Sequence, residues 1–187
     1  MATEGLAGIV ILVGSITFFI AASMPTSLVF AEPDPAKKLE ILRRSPRVWL
    51  LSQLFFSVGA TVAAIGLGIL AQQLRPVSAM LLGYIGTALL LVGVVFWDWH
   101  VYLRSSDPEQ FVRGLIPSWL FQSYSVLTDA GLVLFSIAFL MAAYPSWMGV
   151  AMIGFPLAFL AAFLVFKDLP PFFYYVLLLV VGIVMAW

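Results

Sequence analysis

Asp129 stands in the middle of the apolar stretch SVLTDAGLVLF, residues 125–135. In such surroundings a carboxyl can take up a proton, hold a monovalent cation or meet a cationic small molecule. A charged Asp at the centre of a membrane helix costs roughly 2.5–3.5 kcal/mol on insertion scales. Lost hydration therefore favours the neutral acid. No Lys or Arg falls inside the expected spans to offset it. At helical spacing, Ser118, Gln122, Ser125, Asp129 and Ser136 share one face, interrupted by Leu132. A polar stripe on a membrane helix turns toward protein or water, away from lipid. The structural alternative is a protonated acid donating an interhelical hydrogen bond, worth about 0.6–2 kcal/mol.

Other polar groups fall at comparable depth. Thr61 lies about 20 Å along its helix from the basic end, at 1.5 Å per residue. Thr87, and Ser15 or Thr17, also fall near the midplane. The segment Gly154-Phe155-Pro156 interrupts a further apolar run. Proline has no N–H, so the carbonyl of Met152 loses its usual partner. Transport sites often use such interruptions; a tolerated kink is the alternative. The expected site is a midplane cavity lined by Asp129, Gln122, Ser125, Thr61 and Thr87, with the Met152 carbonyl nearby.

A second cluster, FWDWHVYLR, spans residues 96–104. Asp98 and His100 are two apart and point in different directions on a helix. Asp98 more readily meets Tyr102, four residues on. His100 is the sole histidine and is placed at the cytoplasmic rim, so neither a Ser-His-Asp set within the membrane nor bis-histidine haem ligation is expected. With no cysteine, thiol nucleophiles, disulfides and thiolate metal sites are excluded too. No P-loop, H-E-x-x-H or dinucleotide glycine fingerprint occurs. No span holds a lysine for a Schiff base. These absences argue against an enzyme and leave no cofactor or metal to expect.

The elements that must position these residues follow from composition. The chain has 187 residues, 63% hydrophobic and 10% charged. Soluble domains run at about 45–50% apolar and about 25% charged. The excess apolar surface needs a bilayer. Six runs are long enough to span it, roughly 5–24, 48–71, 78–101, 115–144, 147–166 and 169–187. They do not alternate apolar and polar as barrel strands do, so they are helices. The expectation is an all-α polytopic membrane protein, a single domain built as a compact bundle of six transmembrane helices. The opening MATEGLAG lacks a positive n-region, so a cleaved leader is not expected.

Basic residues are placed unevenly. Lys37, Lys38, Arg43, Arg44, Arg47, Arg104, Arg113 and Lys167 fall on one side of the predicted spans; only Arg75 falls on the other. The positive-inside rule puts the basic loops in the cytoplasm and both termini outside. All six Trp fall near predicted helix ends, as an interfacial belt requires. The first basic loop, EPDPAKKLEILRRSPR, reads as an ordinary loop, or as a short interfacial helix dipping Leu39, Ile41 and Leu42 into the headgroups.

Small residues form seams that let helices approach closely: Ala60, Ala64 and Gly68 in the second span, Gly83, Gly86 and Thr87 in the third. They serve internal packing or a homo- or hetero-oligomer. Net charge is zero and says nothing about nucleic acid, but no basic cluster carries the interleaved aromatics that would suggest it. In size and span number the chain is similar to the substrate-binding subunits of energy-coupling importers. It shares no motif with them. Two functions fit these residues. One is a small membrane carrier or binding protein whose guest, a proton, monovalent cation or cationic molecule, sits at Asp129. The alternative is a non-catalytic subunit or assembly factor of a larger membrane complex.

Overall fold

The structure is a computed structural model describing residues 2–142, 144, 146–166 and 171–187. Helix α1 covers Ala2–Ser23 and a short 3-10 helix follows at Pro25–Phe30. Then come α2 (Pro35–Arg44), α3 (Pro46–Ala71), α4 (Val77–Ser106) and α5 (Pro108–Val112). The chain ends with α6 (Ser118–Met141), α7 (Ser146–Phe166) and α8 (Phe172–Ala186). The described residues contain no strand. Five helices, α1, α3, α4, α6 and α7, are long and apolar enough to cross a bilayer. The chain is an integral multi-pass membrane protein built as a helical bundle.

Several boundaries differ from expectation. α6 starts at Ser118 rather than Leu115, because Pro117 precedes it and proline disfavours helix at the residue before it. The sixth element begins at Phe172 and has 15 residues. It is about 22 Å long, short of a hydrocarbon core of about 30 Å. Leu169, its expected start, and Lys167, one of the basic residues, lie outside the described residues. α7 runs unbroken through Pro156. α4 extends to Ser106, so it includes Arg104, contrary to the expectation of spans free of Lys and Arg.

α1 packs along α3 and α8, α4 against α3 and α6, and α6 against α7. Lipid removes the hydrophobic drive between helices, so close packing must hold them. A methyl added at Gly59 of α3 would stand 2.8 Å from the carbonyl oxygen of Gly14 in α1. Gly83 of α4 packs on Ala71 and Leu74, and Gly68 of α3 on Thr87. The predicted seams therefore face helices of the same chain.

At the basic end the first loop folds as a helix, against the plain-loop reading. Asp34 caps α2 by accepting from the Ala36 N–H at 2.9 Å, with Pro35 in the first turn. Arg43 and Arg44 in its last turn complement the helix dipole. Leu42 and Leu39 face protein rather than headgroups: Leu42 is buried with Val29, Trp49 and Val112, and Leu39 packs on that cluster. Asp107 caps α5 in the same manner, accepting from Gln110 N–H. Arg43 reaches Glu109 at 2.7 Å and ties α2 to α5. That pair is exposed and contributes about 0–1 kcal/mol.

Candidate functional site

Asp129 is 2% exposed and turned into the bundle. Hydroxyl groups of the same buried cluster come from α6 and α8. α6 supplies Tyr124, Ser125 and Thr128, all buried; α8 supplies Tyr174 and Tyr175. Tyr174 presents its phenol to the Asp129 carboxyl, and Ser125 interacts with the same phenol. The backbones of α6 and α8 are not closely packed. Long aromatic side chains bridge them instead. The Tyr124 and Tyr175 hydroxyls lie 3.2 Å apart, and the Tyr174 ring meets Tyr124 edge-on at 6.1 Å.

Hydrogen-bonding capacity in this cluster is left over. Both Asp129 oxygens, Ser125 Oγ, Thr128 Oγ1 and the Tyr174 hydroxyl are buried without a bond of full geometry. Buried polar groups are usually satisfied, since each unmet group costs about 1–3 kcal/mol. Three hydroxyls and a carboxyl together can donate, accept and share a proton, or supply oxygens to a small cation. Among the described residues no three His, Cys, Asp or Glu side chains form a metal set.

The other expected site residues are distributed differently. Ser125 is beside Asp129. Gln122, two turns earlier on α6, is exposed and lines a separate cavity. Thr87 is buried on α4, but its hydroxyl donates to the Gly83 carbonyl at 2.8 Å. Thr61 donates to the Ser57 carbonyl of its own helix at 3.0 Å, and α3 makes no extensive contact with α6. Met152 is fully buried in α7. From the contact of Gly149 with Ser136 and Leu140, helix register puts Pro156 within about two turns of Asp129 along the axis.

The cavity at the basic end has a volume of about 760 Å³. Phe18, Phe56, Trp97 and Phe121 are among its walls; Lys38, His100, Arg104 and Gln122 are its longer polar side chains. Asp129 does not line it. An aromatic layer lies between: Trp97 packs on Tyr124 at 4.9 Å, and Phe18 stacks on Tyr175 at 3.7 Å. His100 sits at the level of Phe121, roughly two turns before Asp129 on α6, and the two do not pair.

Several readings of the rim need correction. Asp98 accepts from Ser57 Oγ of α3 at 2.7 Å, rather than from Tyr102, which is 64% exposed. Trp49 and Trp97 are each 2% exposed and belong to the interior, not to an interfacial belt. Their indole N–H groups donate to the carbonyls of Arg104 and Phe56. Trp99, Trp119, Trp147 and Trp187 stay exposed.

Sequence reasoning missed Tyr174, Tyr175 and Arg104. The pair in PPFFYYV was legible as two polar-tipped aromatics at the start of a span. No signal in the chain joined them to Asp129. Compared with protein-family models, curated proteins and solved structures, the chain matches none.

Proposed function

We propose that this chain is a small membrane carrier or binding protein whose guest is held at Asp129. One observation carries the reading: the acid is turned inward beside Ser125 and Tyr174, and neither of its oxygens has a hydrogen bond of full geometry. An acid serving only to join helices would use its donor and acceptors on a neighbour. The tight enclosure favours a proton or small monovalent cation over an organic cation. Thr128, Tyr124 and Tyr175 extend the hydroxyl cluster toward the aromatic floor of the cavity, which supports entry from the basic end. The Lys and Arg distribution supports a cytoplasmic position for that end.

The test is Asp129→Asn in proteoliposomes. Wild-type protein is expected to take up or move protons, Na⁺ or K⁺, read with a pH-sensitive dye and with ion-selective indicators. The variant should insert and keep its helicity but lose that activity. Equal uptake by both proteins removes Asp129 from the site.

A further inference from the structure

Arg104 near the end of α4 is 5% exposed, yet among the described residues no carboxylate pairs with it. Among the described residues the ion pairs involve Arg43, Arg44 and Arg113, all at exposed positions. Among the described residues the Nε and Nη2 atoms of Arg104 have no hydrogen-bond partner. Three aromatic rings from three segments surround the guanidinium instead. Its central carbon lies 5.0 Å from the Trp97 ring, 5.3 Å from Phe30 and 5.8 Å from Phe111. The backbone is anchored as well, since the Arg104 carbonyl accepts from Trp49 Nε1 at 3.3 Å.

A buried charge without a counter-charge is strongly disfavoured. Cation–π contacts offset part of that cost, but they leave the Nε and Nη2 donors unused. That fork of donors is complementary to the oxygens of a carboxylate or phosphate, which accept. Arg104 lines the cavity at the basic end, whose second cationic wall residue is Lys38. Among the described residues no Asp or Glu lines it. The remaining wall is largely aromatic, which suits an apolar body and offers few hydrogen bonds to a polar one.

We infer that this cavity is a binding site for an anionic amphiphile, its oxyanion head held by Arg104 and Lys38 and its apolar body lying against Phe18, Phe56 and Phe121. The site is separate from Asp129 and does not depend on the function proposed there. The head chemistry is common to two sources, a phospholipid of the surrounding leaflet and a diffusible single-chain phosphate or carboxylate.

The probe is dodecyl phosphate, titrated into full-length protein in a neutral detergent, with dodecanol and inorganic phosphate as controls. Binding is read by calorimetry and by the thermal midpoint. Saturable binding of dodecyl phosphate is expected, at least ten-fold tighter than either control. Arg104→Gln should weaken it at least ten-fold and Lys38→Gln a few-fold. Competition by phosphatidylglycerol, and not by phosphatidylcholine, would identify a lipid headgroup as the source. No competition would identify a diffusible ligand. Equal binding of dodecanol and dodecyl phosphate by the wild-type protein would overturn the inference, and that comparison needs no variant. Unchanged binding by a folded Arg104→Gln protein would overturn it as well.

Discussion

Gly86 of α4 and Gly131 of α6 lie face to face: a methyl placed on either would stand 2.7 Å from the other's carbonyl oxygen. This contact sets the depth of α6 two residues beyond Asp129. Gly131→Val must push the helices apart and is expected to lower stability by about 1–3 kcal/mol. Gly86→Ala should act in the same direction. The midpoint of thermal unfolding in mild detergent checks this; unchanged midpoints for both would show that the helices are not so close.

Tyr174 is the α8 group facing the carboxyl. Tyr174→Phe keeps the ring and removes the hydroxyl. The hydroxyl is one of the unmet oxygens offered to the guest, so guest uptake should weaken at least ten-fold without it. Tyr102→Phe, at a position 64% exposed, serves as the control and should leave uptake unchanged.

α2 is held by its cap and by Leu42. Asp34→Ala removes the acceptor for Ala36 N–H and should destabilise the helix by about 1 kcal/mol. Leu42→Ala opens the small cluster around Trp49, at about 2–5 kcal/mol. Both should speed tryptic cleavage after Lys37 and Lys38, with Leu42→Ala the faster. Cleavage rates equal to wild type would mean that α2 is not docked.

Asp98 and Ser57 join α4 to α3 across 2.7 Å. Ser57→Ala leaves a half-buried carboxyl without that donor and should cost about 1–3 kcal/mol. Asp98→Asn combined with Ser57→Ala should cost less than the two single changes added together. Strict additivity would deny the pair an interaction.

The orientation is open to labelling because the chain has no native cysteine. Lys37→Cys and Ser78→Cys place thiols at exposed positions on opposite ends of the bundle. An impermeant reagent on whole cells should modify the second and spare the first. The reverse pattern would invert the proposed topology.

The sequence alone determined the class of object and most of its helices. A run of apolar residues in hydrocarbon must satisfy its own backbone, so length and composition suffice to identify α1, α3, α4, α6 and α7. It also showed that Asp129 must turn away from lipid, because a single acid in hydrocarbon is disfavoured wherever the neighbours lie.

Which groups it turns toward was decided only by tertiary structure. Tyr174 and Tyr175 arrive from α8, across a gap that only long side chains span. Arg104 is enclosed by Phe30, Trp97 and Phe111, which are scattered along the chain. Trp97 and Trp99 look alike near one helix end, yet one is 2% and the other 50% exposed. The reason is physical. Membrane helices are apolar on nearly every side, so hydrophobicity does not mark the inward face. Shape does, through glycine contacts such as Gly86 on Gly131, and shape exists only once the helices meet.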